Sequence, residues 1–308
     1  MENVVKWLLE DDEPALRLQV NRDLLGRPEA ELGGLRAALP RRGWCRELLE
    51  RRGADGHWGN GAYNPKWTCT HYVLHELMQL GLGAGNEACA ESTRLLLAHP
   101  RGVDGGINYA KTVEYSDVCI NGMLLAIAAT FIRDPACTDS LVDYLLRMQL
   151  ADGGWNCMYY QGDTRSSLHT TVAVLEGLFL RASNPGAVAA GRLRNAASGG
   201  VEFILRHRLY RSERTGEIIK DDFFKFPFPV RWKYDILRCL DLFRRFGVAH
   251  DGRMDEALDR IEAARDRHGR WKSRSQAGKT YSVREKNGSP GRWNTLRALR
   301  VLRAYRPG

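Results

Sequence analysis

The chain has 308 residues, 44% of them apolar and 27% charged. That composition suits a soluble globular protein with a large core and excludes disordered and collagen-like chains. The longest nearly unbroken apolar run, Met123 to Ile132, is too short for a membrane span of about 20 residues. Lys and Arg number 46 against 37 Asp and Glu, a formal charge of +9. The excess is one-sided: residues 1–200 carry 20 basic and 23 acidic groups, residues 201–308 carry 26 and 14, and 13 of the basic ones fall between Arg265 and Arg306. Such a field suits a diphosphate, another polyanion or a nucleic acid, unless it is a solvated arginine-rich face.

In chain order, Met1-Glu2-Asn3 leads into Trp7-Leu8-Leu9 and then four acids, which matches neither a signal peptide nor a transit peptide, so a cytoplasmic location is expected. Seven cysteines without a C-x-x-C pair argue against a disulfide framework. Residues 1–50 read as a helical pair, with Ala15 to Leu25 stopped at Gly26.

From residue 51 onward a repeat takes over. A D-G-x-W turn recurs as Asp55-Gly56-His57-Trp58, Asp104-Gly105-Gly106-Ile107, Asp152-Gly153-Gly154-Trp155 and the weakened His268-Gly269-Arg270-Trp271. About a dozen residues after each turn an apolar helix begins, at Trp67 to Leu74, Tyr115 to Ile120, Ser167 to Val172 and Arg292 to Leu296, with a further start at Arg231 to Ile236. Cys69, Cys119 and His169 lie fifty residues apart, the spacing of a helical-hairpin repeat. The segments before the turns, Glu91–Ala98, Ser140–Gln149 and Met254–Ala264, are amphipathic and read as outer helices. Those after the turns, such as Met123 to Ala128, are apolar throughout and read as inner helices. Gly199-Gly200 and Phe223–Pro229 interrupt the register, yet neither is long enough to link two domains.

These repeats resemble the α/α-toroid superfamily of protein prenyltransferase β subunits and squalene or terpene cyclases. Gln149 with Trp155 is the best instance of its Q-W-type turn, and the likeness covers Arg51 to the C-terminus. The resemblance implies an all-α fold, a barrel of helical hairpins in inner and outer layers, with residues 1–50 packed on residues 51–308 as one domain. Tyr115-Ser116-Asp117-Val118-Cys119, followed one repeat later by His169-Thr170-Thr171, is similar to the prenyltransferase zinc site and implies Asp117, Cys119 and His169 as ligands of Zn2+. The chemistry agrees: zinc takes carboxylate, thiolate and imidazole, and three protein ligands leave a position open for substrate. Since i and i+2 diverge on a helix, Asp117 is expected at the N-cap with Cys119 in the first turn. Lys111 matches the first basic position of the family's pattern, whereas Glu114 stands at the second and Ile120 replaces a Tyr. No D-x-D-D run is present for protonating cyclisation.

Other residues fall at inner-helix starts. Cys69 and His71 open the first, and His71 is a candidate catalytic group or a capping and packing residue. Asp235 heads the fourth, as a general acid or base or as a partner of Arg231 or Arg238. Trp67, Trp232, Tyr234 and Trp293 are placed to line an apolar cavity. Lys286 and Arg292 are expected on the same rim as the metal ligands, with Arg297, Arg300, Arg303 and Arg306 forming an outward stripe. The expected function is a zinc-dependent enzyme acting on a small-molecule or lipid-like substrate, anionic or neutral, by alkyl or prenyl transfer or by metal-assisted hydrolysis. The alternative is a non-catalytic module with structural zinc that binds nucleic acid through its basic C-terminal face.

Overall fold

A computed structural model describes residues 2–184 and 190–306. The chain is predominantly helical. Four helices, α1 (Glu2–Leu9), α2 (Pro14–Asp23), α3 (Glu29–Ala38) and α4 (Gly43–Leu49), occupy the N-terminal region, where the sequence suggested a pair. Glu13 explains their coherence: its carboxylate caps α2 at the Ala15 N–H and accepts the Trp44 N–H of α4 at 2.9 Å. Then follow α5 (Thr70–Gln79), α6 (Glu87–Leu97), α7 (Val118–Phe131), α8 (Asp139–Arg147), α9 (Leu168–Ser183), α10 (Ala190–Arg206), α11 (Ile236–Arg245), α12 (Asp255–Ala263) and α13 (Arg292–Tyr305). Among the described residues the sole strand pair is Trp271–Lys272 with Pro290–Gly291, antiparallel. No described helix is long and apolar enough to cross a membrane, and all seven cysteines are free thiols.

The D-G-x-W turn works the same way each time. Its glycine adopts φ of +82° at Gly56, +87° at Gly105, +92° at Gly153 and +77° at Gly269, a region that penalises any side chain. Its aspartate closes the loop by accepting backbone N–H groups, as Asp152 does from Gly154 and Ser166. In the last repeat Asp266 takes over, accepting from His268 and Arg270, which is how the turn survives without the Asp-Gly dipeptide. The tryptophan is buried and its indole N–H reaches a carbonyl ten residues back, from Trp58 to Leu48 (2.6 Å), Trp155 to Leu145 (2.7 Å) and Trp271 to Ile261 (2.7 Å). Its backbone N–H is taken by a threonine of the next helix: Thr70, Thr171 or Thr295, each at 3.0 Å. These three turns thus fasten the helix before to the helix after, while in the second turn Ile107 has no indole and gives its N–H to Asn121 Oδ1 of α7 (2.8 Å).

The odd-numbered helices from α5 onward form the inner set. Nearly every side chain of α7 is buried, and α7 packs on α5, α6 and most extensively on α9. Backbones approach closely there, since a Cβ on Gly122 would lie 2.7 Å from Val174 Cα and one on Gly177 2.5 Å from the Gly122 carbonyl oxygen. At the other side α11 packs on α13, and α13 on α2. Helix α2 also touches the first repeat, as Gln19 donates to Gln79 O of α5 (2.9 Å) and accepts from Arg300 of α13 (2.9 Å). One apolar core runs from Val4 to Tyr305. Gly199-Gly200 does not break the register: both lie inside α10, where the bare Gly200 lets the Trp155 indole pack against the helix.

Candidate active site

The inner helices begin at one end of the bundle, with N-caps at Cys69, Asp117, Ser167, Asp235 and Gly291. The segments leading into α5, α9 and α11, together with residues 274–287, enclose a cavity of about 640 Å³. Trp67, Trp232 and Tyr234 form its aromatic walls, and Lys220, Lys225 and Lys233 bring positive charge. His169 and Trp232 are shared with an adjoining cavity of about 290 Å³, whose wall also carries Asp117, Cys119 and Cys157. Lys66 lines this second chamber with its ammonium over the rings of Trp67 (5.3 Å) and Trp232 (5.5 Å).

Asp117 is the N-cap of α7, as its spacing from Cys119 required, yet its carboxylate makes no capping hydrogen bond. Burial raises its pKa, and Lys66 is the charge that offsets this. Such a desolvated carboxylate is short of a cation. Cys119 follows in the first turn, and its backbone N–H donates to Cys157 Sγ at 3.3 Å. Thr170 of α9 donates to the same sulfur at 3.5 Å. With the Cys119 thiol as a further donor, Cys157 is the member of the pair whose pKa falls, and Cys119 stays protonated beside it.

His169 stands in the first turn of α9, where Nδ1 accepts the Tyr234 N–H at 2.8 Å. Burial, reinforced by Lys220, Arg238 and Lys233, lowers its pKa to about 4. The ring is therefore neutral at pH 7 with its proton on Nε2, and Nε2 in this state has no lone pair for a metal. Asp117, Cys119 and Cys157 suit zinc by donor type. His169 suits it only with its ring turned, at the cost of the Tyr234 bond. Among the described residues no three His, Cys, Asp or Glu side chains stand close enough as placed to hold a metal, so loading requires side-chain rotation.

The remaining candidates lie elsewhere. Cys69 is buried against Tyr72 and Met123, with Cys119 packed on the same cluster, but it lines neither chamber. His71 is fully buried among the rings of Tyr63, Tyr72 and Tyr109, and neither ring nitrogen has a hydrogen-bond partner. Burial lowers its pKa to about 3, which keeps it neutral, and it lines neither chamber. Asp235 also lines neither chamber: it caps α11 by accepting the Arg238 N–H (2.7 Å) and faces Arg297 at 3.9 Å, not the guanidinium of Arg231 or Arg238. Lys111 is exposed in the loop before α7.

Lys286 and Arg292 do not share the rim. They line a separate cavity against the N-terminal helices, where Arg292 lies over Trp7 (4.6 Å) and 3.6 Å from Asp11. Trp293 is buried against Phe228, with ring centroids 4.5 Å apart. Of the arginine stripe only Arg297 and Arg300 turn inward, whereas Arg303 is exposed and Arg306 lies at the surface beside exposed carboxylates. Arg297 is 3% exposed and Arg300 12%, Arg300 is paired with Asp23 and Asp241, Arg303 donates to Leu24 O, and Arg306 pairs with Asp259 and Glu262.

Cys157, Lys66 and the lysines of 220–233 escaped the sequence reading. For Cys157 a signal existed: it follows Trp155 by two residues, the position held by Asn60, Tyr109 and Ser273 in the other turns. No family model matches the chain, and no curated protein matches it.

Proposed function

We propose that the protein is an enzyme on an α/α-toroid scaffold that acts on an anionic organic substrate in the cavity at the inner-helix N-termini. The bridging of α5 and α13 by α2 and the repeated turn geometry support the toroid reading. One observation carries the functional reading: a desolvated carboxylate, two thiols and a neutral imidazole line a chamber that adjoins an aromatic cavity bearing lysines. Asp117, Cys119 and Cys157 would hold a zinc ion, with His169 as the alternative donor. Bound zinc supplies Lewis-acid polarisation or activation of a substrate thiol, hydroxyl or carbonyl.

The chain's own groups do the rest. Lys220, Lys233 and Lys66 bind the substrate's anionic end, and helix N-termini add a favourable field. Trp67 and Trp232 exclude water from an apolar or cationic portion. The Nε2–H of His169 is held in a fixed tautomer by Tyr234 and donates a hydrogen bond into the cavity. This arrangement agrees with alkyl or prenyl transfer and serves hydrolysis equally well. The nucleic-acid reading is the weaker one, since Arg297 and Arg300 are buried against internal partners and only Arg303 and Arg306 of that stripe stay at the surface.

Titration with geranyl diphosphate, read by tryptophan fluorescence, tests the proposal. Saturable quenching weakened roughly tenfold by Lys233→Gln and reduced by Trp232→Leu is expected. Binding indifferent to both substitutions would place the ligand elsewhere and overturn the reading.

A further inference from the structure

We propose that the interior of the bundle, between the C-terminal turn of α5 and the helices α11 and α13, holds a second, separate site for a tetrahedral oxyanion, either inorganic phosphate or the phosphate of a small monoester. A cavity of about 110 Å³ lies there among α2, α5, α9, α11 and α13. Six guanidinium groups line it: Arg22, Arg238, Arg244, Arg245, Arg297 and Arg300. The carboxylates that face them are Glu176 and Asp241 on the wall, with Asp23 and Asp235 behind.

Pairing these groups leaves cations over. Arg22 and Arg300 share Asp23 (2.6 and 2.8 Å), while Arg244 (3.2 Å) and Arg300 share Asp241. Arg238 reaches Glu176 at 3.4 Å and otherwise donates to the Arg231 and Lys233 carbonyls. Arg245 forms no ion pair among the described residues. Arg297 is 3% exposed, and its Nη2 has no hydrogen-bond partner, lying 3.9 Å from Asp235 Oδ1, which caps α11, while Asp235 Oδ2 is likewise without a partner. Six guanidiniums against four carboxylates, with one buried N–H unsatisfied, is a cluster short of negative charge.

Burying an uncompensated cation is costly, and an anion in the cavity removes that cost. The fork of a guanidinium matches a tetrahedral oxyanion through paired N–H···O bonds. The volume admits one such ion, and Met78, Phe228 and Trp293 on the same wall give a monoester's organic group an apolar surface. The site shares no lining residue with the aromatic cavity, so it stands or falls independently of the proposed function.

Isothermal titration with inorganic phosphate and with phenyl phosphate, at constant ionic strength set by sodium chloride, tests the proposal. Saturable binding of one anion per chain is expected, weakened roughly tenfold or more by Arg245→Gln. The Lys220→Gln/Lys233→Gln double variant should bind phosphate as the wild type does. Phenyl phosphate binding tenfold tighter than phosphate assigns the site to a monoester, and equal binding assigns it to the free ion. Arg245 is exposed along part of its length, so its variant is expected to fold, and Arg297→Met provides a second check by circular dichroism and titration. No binding beyond the chloride control, binding unaffected by Arg245→Gln, or binding lost in the lysine double variant would each overturn the proposal.

Discussion

Replacing Gly122 by alanine sets two opposing effects against each other at the α7–α9 seam. Alanine is favoured over glycine inside a helix by about 1 kcal/mol. The new Cβ would lie 2.7 Å from Val174 Cα, 2.8 Å from Val174 N and 2.9 Å from Ala173 C, where ordinary contact begins at 3.4 Å. These are backbone atoms that cannot rotate away, so the helices must separate by roughly 0.7 Å, and overpacking of this kind costs typically about 1–3 kcal/mol. Contacts this short with backbone place the cost toward the upper end of that range, so a net loss of up to about 2 kcal/mol is expected from urea unfolding. Gly33→Ala in α3 is the control, because its Cβ would meet nothing within 4 Å, and it should stabilise slightly. Gly177→Ala should behave like Gly122→Ala, and the double variant should lose less than the sum because one separation accommodates both methyls. A Gly122→Ala protein more stable than wild type by about the propensity difference would refute the close backbone packing that sets Cys119 beside the first turn of α9.

Trp155→Phe keeps the ring in the core but strands the Leu145 carbonyl, so a loss of about 1–3 kcal/mol is expected by thermal or urea unfolding; an unchanged midpoint would deny the turn its fastening role. His71 has a folded-state pKa lowered to about 3, so the folded protein binds fewer protons than the unfolded chain below pH 6.5, and stability is present above that pH and falls as pH drops from 6.5 toward 3. His71→Leu leaves no polar atom unpaired and should flatten the pH dependence in that window, whereas an identical slope in both proteins would contradict the buried neutral ring. Asp241 is held down to about 2 by Arg300 despite its burial, so its contribution is present above pH 4 and is lost as pH falls from about 4 to about 2. Asp241→Asn should remove that part of the acid transition and cost about 2 kcal/mol or more at pH 7.

Much of the architecture was legible because the turn is a local device. A left-handed glycine, a loop-closing aspartate and an anchoring tryptophan act within a dozen residues, so their recurrence exposes the hairpins and the inner-helix starts. Asp117 at the N-cap and Cys119 in the first turn followed from the same local geometry. What sequence spacing cannot convey is which face of a helix meets which neighbour. Asp235, His71 and Arg297 share the register of cavity residues, yet α11, α5 and α13 turn those positions into the packed interior. Cys157 was hidden for the converse reason, since it lies in a short 3-10 turn, Cys157–Gln161, and reaches the site through tertiary contact with Cys119 and Thr170. The N-terminal helices were undercounted because that region lacks the turn motif that marks the later hairpins, and α3 runs through Gly33-Gly34 without one.

Cobalt substitution of the purified full chain tests the metal site proposed where Asp117, Cys119 and Cys157 line the cavity wall. One Co2+ per chain is predicted, displaced by zinc, with thiolate-to-cobalt charge-transfer absorption that weakens in either Cys119→Ser or Cys157→Ser and vanishes in the double variant. A protein that takes up no cobalt or zinc, or one whose cobalt spectrum is unchanged by both serine substitutions, would contradict the account.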